Sequence, residues 1–198
     1  MADYAAVAAA GLSLERLLSA AFLDSPVPVP GKTTKAVLSR TEDFDTTTHG
    51  STIVAPALSI FVYRVDYNRT MRAAWSAVGS NDGRGHLPLD LHILLTPWAE
   101  NAEHELRILG RAMETLEALP ILTGPLLSPS AAWAANDGMQ VVLEDMSTET
   151  LMRIFDSLES DYKLSVPYIA RVVRVDTAPV AQPRVTTAIA GATPSPEP

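Results

Sequence analysis

LPLDLHILLTPWAENAEHELRILGRAMETLEALP, residues 87–120, carries two different hydrophobic periods in one run. In its first half Leu87, Leu89, Leu91, Ile93 and Leu95 alternate with Pro88, Asp90 and His92, the period-2 pattern of a strand with one buried face. In its second half Ala102, Leu106, Leu109, Met113 and Leu116 recur at helical spacing and mark a core-facing stripe. Thr96-Pro97 reads as an N-cap with proline at the first helical position. The spacing therefore predicts a strand over 87–96 and a helix over about 100–119. Glu103 and Arg107, four apart, suit an ion pair on the wet face. Pro120 stops the helix.

On either side the same logic continues. Residues 3–22 read as a helix with Val7, Leu14, Leu17, Leu18 and Ala21 on one side and Gly11 weakening its middle. The run SPVPVPG at 25–31 is an extended linker. Residues 36–40 suit a short strand, and 41–50 an acidic, Thr-rich loop. LSIFVYRVDY at 58–67 is β-branched and aromatic, a strand. Residues 68–86 form a long polar connection. A Pro/Gly/Ser-rich loop over 120–138 leads into a strand at 139–143. Ser147 caps a helix over 148–162, with Leu151, Ile154, Phe155, Leu158 and Tyr162 as its apolar stripe. A last strand covers 164–175. The fold class that follows is α/β (α+β), a mixed β-sheet flanked by helices.

The expected organisation is a single domain over 1–176 and a Pro-rich tail over 177–198. The tail holds five prolines and shows no hydrophobic periodicity. It is expected to be disordered, so deleting 181–198 should leave thermal stability unchanged.

Composition narrows the function. The chain has 198 residues, 47% of them hydrophobic and 19% charged, with net charge −8. That apolar share suits a sizeable core with some surface left for other subunits. Fifteen basic residues without a Lys/Arg run argue against nucleic acid and against an anionic membrane surface as partners. There is no cysteine, which removes disulfides and Cys-based metal sites and fits a cytoplasmic setting. The first 23 residues lack the basic start of a signal peptide, and no stretch approaches the ~20 apolar residues of a spanning helix.

Motifs for chemistry are weak. Gly31-Lys32-Thr33-Thr34 has the tail end of a phosphate-binding loop. Pro26, Pro28 and Pro30 precede it, however, and proline has no N–H to offer a phosphate. Glu103-His104-Glu105 lacks the second histidine that a zinc helix needs. His92, on the polar face of its strand, is free to meet a neighbour there, but hydrogen bonding explains it as well as a metal would. No GxSxG elbow and no cation loop is present. No catalytic, cofactor or metal-binding residue is assigned. Arg69, Arg72 and Arg84, with Trp75, make the 68–86 connection the nearest thing to a contact patch. Trp98 and Trp133 also read as residues in or beside loops.

Three stretches, LSIFVYRVDYNRTMR (58–72), residues 87–122 and YKLSVPYIARVVRVD (162–176), resemble the cap, or tail-terminator, family of extracellular contractile injection systems. The strand-to-helix join and the closing KLSVPYIARVVRVD are the most specific pieces. Phe155 departs from the tryptophan usual in that family, and residues 25–54 match little of it. The resemblance implies a homo-hexameric ring without enzymatic activity. Such a ring would close the distal end of the inner tube and anchor the last sheath layer, its partners being the sheath protein and the inner tube protein. The ring would be made in the cytoplasm and built into a particle. A strand exchanged with the sheath would dock at a sheet edge. The closing strand is the candidate edge, because Pro167 suits an edge and Arg171 and Arg174 discourage unwanted pairing. An assembly chaperone for sheath or tube is the alternative, and a nucleotide-binding enzyme using Lys32 is a further one.

Overall fold

In the computed structural model, residues 3–28, 31, 33–45, 53–75, 84–158 and 160–178 are described. Among the described residues six strands form one sheet: β1 (Lys35–Ser39), β2 (Ala57–Tyr67), β3 (His86–Trp98), β4 (Ile121–Thr123), β5 (Gly138–Leu143) and β6 (Val166–Asp176). Their spatial order is β1-β2-β3-β6-β5-β4. β1 runs parallel to β2 and every other pair is antiparallel, so the sheet is mixed, as the pattern predicts. The helices are α1 (Ala6–Asp24), α2 (Arg69–Trp75), α3 (Ala102–Ala118) and α4 (Thr148–Asp156). Lys32 and residues 179–198 lie outside the described residues.

Both faces of the central strands are covered. On one face α1 and α3 pack Leu14, Leu18, Phe22, Ile108 and Leu109 against Ile60, Leu91, Ile93 and Leu95. On the other, α4 and a 3-10 turn at Thr41–Phe44 bring Phe155 and Phe44 onto Phe61, Leu94 and Trp98. A period-2 pattern assumes one dry face; here Leu91 to Trp98 are buried on both sides. α1 has 19 residues and a mean hydropathy of 1.5, enough by length and composition to cross a membrane. The expectation that no such segment exists was therefore too strong. The apolar surface of α1 is placed against the sheet, with Ala6, Ala9, Ala10, Leu14, Leu18 and Phe22 buried. Gly11 allows the close approach, since a Cβ there would lie 2.9 Å from Leu38 Cδ1.

Several boundaries differ from the sequence expectation. Thr96-Pro97 does not start a helix: β3 continues through Trp98, and Pro97 pairs with Leu58. The β6 ladder ends at Leu95 opposite Val166, so Pro97 has a strand on one side only and its missing N–H breaks no ladder on the other. The cap of α3 is Asn101, whose side chain accepts the His104 N–H at 2.9 Å. The buried face of α3 is Ile108, Leu109, Ala112, Thr115 and Leu116, while Leu106 is 57% exposed. Residues 69–75 form α2 rather than a loop, and Asn68 accepts the Met71 N–H at 3.0 Å in the manner of an N-cap. α4 ends at Asp156, six residues early, although Ser147 caps it as expected. Trp98 is a buried strand residue rather than a loop residue, and its Nε1 donates to Ser59 Oγ at 2.9 Å.

The closing strand is not an edge. β6 lies between β3 and β5, which corrects the reason given for Pro167, Arg171 and Arg174. Pro167 is tolerated because its carbonyl accepts from Glu144 N–H on the β5 side. In an extended strand a residue's nitrogen and carbonyl point the same way, so the Pro167 nitrogen faces the point where the β5 ladder stops, one pair after Leu143 meets Tyr168. Of the true edges, β1 is shielded. The Ala36 N–H bonds Ser19 Oγ at 3.2 Å and the Leu38 N–H bonds Glu15 Oε2 at 3.3 Å, both from α1. Among the described residues the other edge is the three-residue β4, where Ile121 is 56% exposed.

Candidate functional site

Two irregularities in the sheet gather polar groups on one patch. The β2–β3 register shifts between Val62 and Arg64, and the β3–β6 register between Leu89 and Leu91. At a bulge two residues oppose one, so neighbours in sequence reach the same side. Tyr63 and Arg64 therefore both approach His92. The two rings lie 5.9 Å apart, and one guanidinium nitrogen is 3.1 and 3.0 Å from the two ring nitrogens. An atom that close to both nitrogens stands over the imidazole rather than in line with either lone pair.

His92 has a side chain only 7% exposed. Its Nδ1 lies 2.8 Å from Glu144 Oε1, and its Nε2 lies 3.4 Å from Asp66 Oδ2. The second Glu144 oxygen accepts from the Tyr63 hydroxyl at 2.7 Å, and Arg64 Nε pairs with Asp66 at 3.0 Å. Burial, and then the bond donated to Glu144, push the Tyr63 phenol well above its ordinary range. Among the described residues no cluster is arranged to hold a metal ion. The network ties β2 and β3 to the segment joining β5 and α4, and its chemistry is that of a structural clasp.

Beside it a cleft of about 440 Å³ is bounded by Asp66, Asn68, Arg69, Asp90, His92 and Arg171. Asn68 Nδ2 holds Asp90 at 3.2 and 3.1 Å, which fixes the start of α2 to β3. Of the sequence candidates, the structure thus brings Arg69 and Arg171 together from segments a hundred residues apart. Arg72 is exposed and its guanidinium lies 4.7 Å over the Tyr67 ring, a cation–π contact. Trp75 closes α2, and its side chain is outside the described residues. Arg84 lies half-buried just before β3 and takes no part in the cleft. Arg174 is engaged within the fold, bound to Asp137 at 2.9 Å and to Asp176 at 3.0 Å. Asp176 also meets His86 Nδ1 at 2.6 Å. Pro167 serves the strand and is not in the patch. His92, Glu144 and Asp66 went unassigned in the sequence, because alternation alone does not reveal that a polar face is covered.

The sequence profile of the Pvc16 N-terminal domain matches residues 10–187. The chain belongs to the Pvc16 N-terminal domain family. No curated protein matches it in sequence. Among solved structures the fold is similar to that of the PVC sheath/tube terminator, from an extracellular contractile injection system in its extended state. The TM-score is 0.52 and the identity 15%, over 94% of this chain and 64% of that one. The tube-terminating cap of the anti-feeding prophage aligns at 17% identity and a TM-score of 0.48, over 82% of this chain and 55% of that one. The chain spans less than two thirds of the length of either protein. At these identities the likeness concerns the fold, a mixed six-stranded sheet with flanking helices as in a tail terminator. Membership of the Pvc16 N-terminal domain family rests on the sequence match.

Proposed function

We propose that this protein caps a contractile, phage-tail-like particle as a homo-hexameric ring. It terminates the inner tube and anchors the last layer of sheath protein. The observation that carries this reading is the family match across residues 10–187, laid over a terminator fold. The role is structural: the protein works without catalysis, cofactor or metal, and its partners are the tube protein, the sheath protein and further copies of itself. It is made in the cytoplasm and leaves its free state by joining a particle. A six-fold tube calls for heterologous contacts that repeat around the ring. Arg69 and Arg171 line the cleft proposed to meet an acidic tube or neighbour surface, with Arg72 beside it on α2. Since β1 is shielded and β6 is internal, the sheath strand would add at β4.

The test is made on particles assembled with and without the gene. Electron micrographs should show tubes of uncontrolled length or loose sheaths in its absence. Particles of normal, uniform length without this protein would end the proposal.

A further inference from the structure

The spare peptide groups of β4 follow from its register. The Val141 N–H donates to Pro120 O at 2.8 Å, and Leu122 pairs with Met139. Pairs alternate in an antiparallel ladder, so Leu122 turns its N–H and C=O toward β5. Ile121 and Thr123, on either side of it, turn theirs outward. Among the described residues nothing pairs with these two donors and two acceptors. Such a row is a template for one more strand.

A pocket for side chains lies beside this template. Directly paired residues share a face of the sheet, so Ile121, Gln140 and Arg171 form one row across β4, β5 and β6. A cavity of about 510 Å³ opens over that row, and Thr123 and Trp133 also line it. Gly138 keeps its floor low: a Cβ there would stand 2.8 Å from Thr123 Cγ2. Trp133 is held as a wall, its Nε1 donating to Ser128 O at 2.7 Å. The residue of an added strand that bonds Ile121 has its side chain on this same face, at the exposed Ile121 end of the cavity.

Charge selects what that side chain is. Arg171 is exposed, and its Nε makes one weak bond to Gln140 Oε1 at 3.4 Å. Among the described residues it forms no ion pair. It borders both this cavity and the cleft of about 440 Å³ beside it, and the acids that share those two spaces are engaged elsewhere. Asp137 pairs with Arg174 at 2.9 Å, Asp66 with Arg64 at 3.0 Å, and Asp90 accepts from the Asn68 amide at 3.1 Å. A carboxylate arriving over Ile121 therefore meets a cation that lacks one, and a neutral or basic side chain gains nothing there.

We infer that β4 and this cavity together form a recognition site for an extended acidic peptide segment. The segment pairs its main chain with Ile121 and Thr123, and a carboxylate side chain opposite Ile121 reaches into the cavity toward Arg171. The inference rests on β4 as the strand-accepting edge of the proposed cap, and it names the side chain that the added strand must carry.

Two end-blocked synthetic peptides, TVTETVT and TVTQTVT, test it on the purified full chain, since they differ in one charge alone. In titrations followed by NMR at low salt, the glutamate peptide should bind at least about threefold more tightly, the scale of one exposed ion pair. That ratio should shrink as salt is added and fall to one in Arg171→Gln. At saturation the Ile121 and Thr123 amides should exchange about tenfold more slowly, while the Leu122 amide, which faces β5, keeps its rate. Equal affinity for the two peptides, a preference that survives Arg171→Gln, or binding that leaves Ile121 and Thr123 unprotected would each overturn the inference. Binding of neither peptide would overturn it too, yet leave the capping role standing, because that role is tested by the length of assembled particles.

Discussion

Phe44 tests how much the second face of the sheet matters. It sits in the 3-10 turn Thr41–Phe44, is fully buried, and has ring centroids 5.3 Å from Phe61, 5.7 Å from Trp98 and 6.5 Å from Phe155. Phe44→Ala removes the ring around which the other three are arranged. Loss of transfer energy and the cavity left behind together cost about 3–5 kcal/mol for a buried phenylalanine. A domain has about 5–15 kcal/mol in all, so the variant should fold but with much of its margin gone. At about 2–4 °C per kcal/mol for a chain of this size, the melting temperature should fall by roughly 6–20 °C. Guanidinium denaturation followed by circular dichroism should show a lower midpoint at unchanged slope. Tyr4→Ala, at a site 86% exposed, is the control and should stay within about 0.5 kcal/mol. A loss below about 1 kcal/mol for Phe44→Ala would show that the turn is not packed as described.

Further perturbations separate competing accounts. Leu106→Ala should change stability by no more than about 0.5 kcal/mol, whereas Ile108→Ala should cost about 2–5 kcal/mol; equal losses in urea titrations would restore the stripe drawn from sequence. For Tyr63, whose folded pKa is raised, the unfolded chain ionises first as pH climbs past the ordinary tyrosine value of 10.0, so stability present below that pH is lost above it. Tyr168, raised by burial and then by Glu117, acts in the same direction. Tyr63→Phe should make the decline between pH 9 and 11 shallower, and an unchanged slope would separate Tyr63 from it. Charge reversal at Arg69 and Arg171 together should weaken particle capping while the melting temperature of the free protein holds. Full capping by that variant would remove the cleft from the proposed contact.

Much of the architecture was legible because period carries it. The alternation in 87–95 and the β-branched run at 58–67 could hardly be anything but strands, and Ser147 announced α4. The failures have physical causes. Leu106 belongs to an evenly spaced stripe, but the face that meets the sheet uses Ala112 and Thr115, small residues that hydrophobic counting passes over. Proline at 97 reads as a helix start by its chemistry, and only the neighbouring ladder's end at Leu95 explains a strand there. The edge assigned to β6 failed because chain order does not determine spatial order, and the last strand here inserted beside the third. The polar clasp on His92 depends on a bulge at Tyr63, a register event with no signature in composition.

The shielding of β1 has a consequence for how copies of this protein can meet. A sheet grows into an endless ribbon only if each unit offers a strand on its left and accepts one on its right. Here Ser19 and Glu15 have already answered the outward N–H groups of Ala36 and Leu38, so one side is closed before any neighbour arrives. Stacking sheet to sheet therefore has a last member built in: whatever adds at the far side finds no matching invitation on this one.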